Sequence, residues 1–197
     1  MKTLVIIAHP DLARSRVNAT WKTALLTRTP FQVKDLAEQY PDAVFDIGRE
    51  QADLIECERI ILQFPLFWYS CPALLKKWID DVFTPGFAYA RGGDKLKDKE
   101  LMLCISVGAP EDGYRATGFN NFTLDELLRP FQQTANYVKA RLVTPFVFYE
   151  SVFASDAQID QCTEDMLAHV TQTCEPPSVV YEKLLLSAEA MSVALIS

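Results

Sequence analysis

The chain has little of what most ligand-bound protein classes announce themselves with. It holds only two histidines, His9 and His169. Its five cysteines, Cys57, Cys71, Cys104, Cys162 and Cys174, show no CxxC spacing, so neither a zinc set nor a disulfide framework is indicated. Positive charge is also scarce: 19 Lys and Arg stand against 26 Asp and Glu, a formal net charge of −7, without long basic runs. That balance leaves no electrostatic footprint for nucleic acid or an anionic membrane. The opening apolar run reaches His9-Pro10 too soon for a signal segment or a membrane span. No Walker A loop, GxGxxG fingerprint, repeat or low-complexity tract is present. These absences predict a soluble, cytoplasmic chain with reduced thiols.

What the chain does have is length enough for a substantial core, 197 residues at 49% hydrophobic. Continuous aliphatic runs at Thr3–Ala8, Arg59–Phe64 and Leu101–Val107 read as central strands buried on both faces. A short strand is expected near Phe31–Leu36 and a fifth at Leu142–Phe148. Between them, Val17, Trp21, Ala24 and Leu25 recur at helical spacing behind a candidate N-cap, Ser15. Further helices are expected over about 46–57, after Pro72, over 124–140 and over 156–171. Phe87–Asp98 reads as a surface excursion. Strands alternating with helices argue for a parallel sheet with right-handed crossovers. After Glu175-Pro176-Pro177 comes an apolar segment, Val179–Ile196, that fits a docked helix, a dimer contact or a frayed tail.

In an open parallel sheet, ligands bind beyond the carboxyl ends of the strands, where the strand order reverses. Three loops qualify. The first, His9 to Asn18, places Ser15, Asn18 and the two arginines Arg14 and Arg16 at a helix N-terminus, which suits a phosphate but also fits an ordinary capped helix. The second, Pro65-Leu66-Phe67-Trp68-Tyr69, sets adjacent aromatic rings on a turn, either as a packed cluster or as a wall for a flat ligand. The third, Ser106-Val107-Gly108-Ala109 running on to Tyr114, brings small residues whose amides can approach a heterocycle, or simply connects elements. His9 has no partner pattern for a triad, and Cys71 and Cys104 lack a basic activator nearby in sequence.

One stretch is specific enough to carry a resemblance: Gln63-Phe64-Pro65-Leu66-x-Trp68-Tyr69-Ser70-x-Pro72-Ala73-Leu74-Leu75-Lys76-x-Trp78-Ile79-Asp80-x-Val82-Phe83, followed by Gly86-Phe87-Ala88-Tyr89. With the opening His9-Pro10, Ser15 and Asn18, the chain resembles the flavodoxin-like NAD(P)H:quinone oxidoreductases over roughly residues 1–172. That family includes mammalian quinone reductases and the ancillary subunits of bacterial potassium-efflux systems.

The resemblance implies a flavodoxin-like three-layer sandwich, a five-stranded parallel sheet of order 2-1-3-4-5 with helices on both faces. It divides the chain into a flavin-binding domain, 1–174, and an extension, 175–197. It implies FMN, with FAD open, its phosphate held by His9 and the loop of Ser15, Arg16, Val17 and Asn18. The ring would rest on Pro65, Leu66, Phe67, Trp68 and Tyr69, with Ser106, Val107, Gly108 and Ala109 along its polar edge. Hydride would pass from NAD(P)H through the flavin to a quinone or similar acceptor in ping-pong fashion, within a homodimer whose flavin lies near the interface. Two departures stand out. Ser106-Val107-Gly108-Ala109 replaces the Thr-Thr-Gly-Gly of many members, and although Tyr114 matches the family's catalytic tyrosine, Asn120 stands where a histidine would align. The alternative is a regulatory flavoprotein subunit of a membrane transporter, with reductase activity secondary.

Overall fold

The computed structural model describes residues 1–196, with side chains described as far as Ala188. Its centre is a parallel sheet. Strands β1 (Thr3–Ile7), β2 (Gln32–Asp35), β3 (Arg59–Pro65), β4 (Glu100–Ser106) and β5 (Arg141–Leu142) lie in the order β2-β1-β3-β4-β5, the flavodoxin-like arrangement. Beyond β5, β6 (Phe146–Phe148) returns to pair with β4. Helices α1 (Arg16–Arg28), α2 (Leu36–Gln39), α3 (Ile47–Glu56), α4 (Ala73–Val82), α5 (Leu124–Leu127), α6 (Arg129–Tyr137), α7 (Asp156–Thr171) and α8 (Pro177–Ile196) complete the chain.

Strand periodicity divides the core into two layers. Leu4, Ile6, Ile60, Leu62, Phe64, Leu101, Leu103 and Ile105 face one side, where α4 and α6 supply Leu75, Trp78, Val82, Phe131 and Ala135. Val5, Ile7, Ile61, Met102 and Cys104 face the other, beneath Trp21 and Leu25 of α1 and Ile159, Met166 and Val170 of α7. Trp21 is fully buried and meets Phe146 edge-on at 5.6 Å. Within the first layer a buried ion pair joins Lys34 to Glu50, whose carboxylate also accepts from Tyr40 Oη at 2.7 Å and Trp78 Nε1 at 2.9 Å.

Two expected elements are interrupted, each at a proline. The fifth strand breaks between Leu142 and Phe146 because Pro145 offers no N–H to the ladder. The helix expected over 124–140 divides at Leu128, just before Pro130, where a capping box on Thr123 and Glu126 starts its first piece. The 87–98 excursion is anchored rather than loose, with Phe87, Ala88 and Leu96 buried.

The amino edge of the sheet is sealed by charge. Arg59, fully buried, donates to Glu100 at 2.6 Å, to the Val170 carbonyl at 2.6 Å and to the Gln172 carbonyl at 2.9 Å. Arg141 also pairs with Glu100 and donates to the Cys174 carbonyl at 3.1 Å. These arginines fasten the end of α7 to the strands. Past that point α8 carries Tyr181, Leu184 and Leu186 exposed. Among the described residues no helix is long and apolar enough to cross a membrane.

Candidate functional site

At the carboxyl edge of β1, β3 and β4 lies a cleft of about 380 Å³. His9, Arg14, Ser15, Arg16, Val17 and Asn18 form one wall, Pro65, Leu66 and Phe67 a second, and Ser106, Gly108, Ser151 and Val152 the rest. Residues from all three loops singled out in the sequence therefore converge on one space.

The first wall is an anion cradle. Ser15 caps α1 as expected, its hydroxyl accepting the Asn18 N–H at 3.1 Å. The N–H groups of Arg16 and Val17 have no acceptor among the described residues, as first-turn amides do not, and they stand at the positive end of the helix. His9 Nδ1 accepts the Asp11 N–H at 3.0 Å, so a neutral ring carries its proton on Nε2. Burial lowers the His9 pKa against the opposing pull of Asp11 and Asp35, which favours that neutral form.

Arg16 and Asn18 both line the cleft, but their side chains are engaged elsewhere. Asn18 is buried, and its amide donates inward to Ser106 Oγ at 2.9 Å instead of reaching out to an anion. Arg16 turns its guanidinium to the α7 side, donating to the Ala154 carbonyl at 2.8 Å and pairing with Asp156 at 2.6 Å. What Arg16 offers the cleft is its backbone amide and a tie to the loop that holds Ser151 and Val152.

The second wall ends in a two-residue turn. Phe67 and Ser70 exchange both backbone hydrogen bonds at 2.9 Å, with Trp68 (φ 46°) and Tyr69 (φ 64°) both in left-handed conformation. Such a turn favours Asn-Gly, and bulky rings there carry strain. The geometry drives the rings outward: Trp68 is 90% exposed. Trp68 and Tyr69 thus stand at the rim rather than in the cleft lining, which the sequence did not separate from Leu66 and Phe67.

The third side is backbone. Val107 donates to the Phe148 carbonyl at 2.8 Å, and the Val107 and Ala109 carbonyls accept from Ser151 and Glu150. This leaves the Gly108 and Ala109 amides without intramolecular acceptors among the described residues. The Val107 side chain is fully buried, so only its backbone is near the cleft. At Gly108 a Cβ would meet Val152 Cγ2 at 3.2 Å, so the glycine keeps this floor open.

Tyr114 does not line the cleft. It follows the turn Glu111–Gly113 and packs against Tyr149, ring centroids 6.0 Å apart, with its pKa raised by burial and by nearby Tyr69. Tyr149 is pushed up to about 12 by burial and by Glu111 and Asp125. Asn120 lies against Gly113, its N–H on the Gly113 carbonyl at 3.1 Å and its buried Nδ2 without a partner among the described residues. Burial also raises Cys71 and Cys104, which are thiols rather than nucleophiles. Sequence reading passed over Ser151 and Val152. Their signal was position alone, since they follow the last strand at the carboxyl edge.

The chain as a whole is similar to known proteins. YrkL, an uncharacterised NAD(P)H oxidoreductase of Bacillus subtilis, is 46% identical over 170 residues, covering 86% of this chain and 98% of its own. KefG, the glutathione-regulated potassium-efflux system ancillary protein of Cronobacter sakazakii, is 42% identical over 148 residues, 75% of this chain and 80% of its own.

Three solved structures superpose well. General stress protein 14 of Treponema denticola in complex with FMN has a TM-score of 0.81 at 38% identity, covering 85% of this chain and 97% of its own. The NADPH-quinone reductase of P. pentosaceus has 0.80 at 34%, covering 88% and 99%. A chain described as a thermophilic tryptophan halogenase of Streptomycin violaceusniger has 0.84 at 37%, covering 87% and 99%. The family model Flavodoxin_2, described as flavodoxin-like fold, matches residues 1–170, and this chain belongs to that family.

Proposed function

We propose that this protein is a flavin-dependent NAD(P)H:quinone oxidoreductase that binds FMN at the carboxyl edge of its sheet. The observation that carries the reading is a single cleft that joins an anion cradle to an apolar wall and a strip of free amides. That donor set fits a phosphorylated planar heterocycle. The amides of Arg16 and Val17 and the Nε2–H of His9 hold the phosphate. Leu66 and Phe67 support one face of the ring, and Gly108 and Ala109 offer N–H groups to its polar edge. Relatives described as an NAD(P)H oxidoreductase and an NADPH-quinone reductase, and an FMN complex among the structural neighbours, support the same assignment.

Flavin, when bound, supplies the hydride acceptor and donor between NAD(P)H and a quinone, so that each partner leaves before the next enters. The protein's part is to hold, orient and shield. Trp68 and Tyr69 form an apolar rim against which a planar partner stacks. Tyr114 stands outside the cleft lining, against Tyr149, and would act as the catalytic residue where a bound ring or its acceptor reaches past the cleft, its protonated hydroxyl donating where negative charge collects. FAD is the second choice. Residues 1–174 form the flavin-binding unit, 175–197 an extension, and the protein acts in the cytoplasm.

A homodimer completes the site. Trp68, Phe119, Phe122, Val152 and Phe153 are exposed. Such a set of apolar side chains is what a second copy would cover. The KefG relative favours a second reading, a regulatory subunit of a transporter. The purified protein should be yellow, release FMN identified by mass spectrometry, oxidise NAD(P)H with menadione and scatter light as a dimer. A colourless protein that takes up no flavin overturns the reading. A flavoprotein with sluggish turnover that copurifies with a transporter supports the alternative.

A further inference from the structure

Beneath the cleft, three buried polar residues stand at the ends of three elements: Asn18 in the first turn of α1, Gln63 near the end of β3 and Ser106 at the end of β4. Their relative exposures are 2%, 0% and 5%. Backbone bonds hold the elements in register, with the Ala8 N–H on the Gln63 carbonyl and the Leu66 N–H on the Ser106 carbonyl, each at 2.9 Å.

The direction of the hydrogen bonds among the three side chains follows from one fixed acceptor. A terminal atom of the Gln63 amide lies 3.1 Å from the Asn18 backbone carbonyl, which only accepts, so that atom is the nitrogen. The same nitrogen lies 3.3 Å from a terminal atom of the Asn18 side chain, which must then be its oxygen. The other end of Asn18 is therefore its NH2 group, and it donates to Ser106 Oγ at 2.9 Å. Reversing Gln63 would set two oxygens against each other. The existing orientation is kept even though Gln63 Oε1 is buried without a partner.

With its oxygen accepting from Asn18, Ser106 has one hydrogen left to give. Among the described residues no acceptor receives it, and Ser106 lines the cleft. We infer that Gln63 and Asn18 are positioning residues that hold the Ser106 hydroxyl as a hydrogen-bond donor toward an acceptor atom of the bound ring. The inference rests on the flavin reading above and deepens it. Asn18 acts on the ring through Ser106 and not on the phosphate, and Ser106 selects ligands that present a carbonyl or bare ring nitrogen at that point.

The test is a double-mutant cycle read by quenching of FMN and riboflavin fluorescence, with folding followed by circular dichroism. Riboflavin lacks the phosphate, so it isolates the ring contact from the charge added by Asn18→Asp. Ser106→Ala should weaken both ligands about two- to twelvefold, the range of one net hydrogen bond. Asn18→Asp keeps the shape but accepts from Ser106, drawing its hydrogen inward, and should weaken riboflavin by a similar factor. Combined with Ser106→Ala, it should weaken riboflavin no further. If Asn18→Asp fails to fold, Gln63→Leu, which frees the Asn18 amide to turn, should show the same lack of additivity. Parent-like riboflavin binding by Ser106→Ala, or full additivity of the double variant, overturns the inference while leaving the flavin reading intact. A parent that binds neither ligand overturns both.

Discussion

The two edges of the sheet bury polar groups in opposite ways. At the amino edge Arg59, Glu100 and Arg141 form a closed account, with the guanidinium groups on carboxylate oxygens and the carbonyls of Val170, Gln172 and Cys174. At the carboxyl edge Gln63, Asn18 and Ser106 form a neutral chain that ends on an unspent hydroxyl hydrogen, beside the free amides of Arg16, Val17, Gly108 and Ala109. Charge at one edge serves the fold because every group is matched within it. The other edge is left unmatched at atoms a ligand would meet, and at the buried Gln63 Oε1 behind them.

Four substitutions or conditions can break or sharpen that contrast. The largest effect is expected from Glu100→Ala, which strands the buried Arg59 and should cost about 3–5 kcal/mol in urea unfolding. Once the variant is folded, flavin binding should be unchanged, and a selective loss of flavin would end the division between edges. Ser15→Ala removes the cap of α1 and should cost about 1 kcal/mol, while FMN also binds more weakly. Unaltered FMN affinity would move the phosphate away from this helix.

A smaller effect, of opposite sign, is expected in the turn at Trp68 and Tyr69. Trp68→Asn with Tyr69→Gly supplies residues that accept positive φ and should raise stability by about 0.5–1 kcal/mol while flavin retention falls. A loss of stability would make the rings structural. The smallest effect is on pH dependence. The His9 pKa is lowered by burial, so below the ordinary value of 6.5 the unfolded chain takes up a proton before the folded one does. Stability should therefore fall as pH drops from about 6.5 toward the depressed folded value. His9→Asn should flatten the melting temperature across that window, and an unchanged slope would assign it to another group.

The sequence made some of this legible and hid the rest for identifiable reasons. The aliphatic runs of β1, β3 and β4 announce strands covered on both sides, and the three loops that follow them are read from the same runs, whereas the strand order comes only with the family resemblance. Pro130 and Pro145 are plain in the sequence, but apolar periodicity runs through both, and where the helix restarts and the strand breaks is fixed by the turn at Leu128 and the pairing with β4. Asn18 reads as a phosphate contact at a helix N-terminus until α1 is laid on the sheet, which turns its third position inward. Ser151 and Val152 have no distinctive chemistry and lie more than 130 residues from Ser15. They join the site because β6 resumes pairing with β4 after the break, so nothing short of the three-dimensional pairing would have found them.

The Arg59 and Arg141 grip on residues 170–174 has a practical consequence for anyone handling this molecule. It ends the compact body at a clasp on the first residues of β3, β4 and β5, so strain applied to α8 arrives at the ends of those strands farthest from the cleft. The linker just past Cys174 is accordingly the place to attach a tether, a fluorophore or a surface anchor, at the opposite end of the sheet from the chemistry.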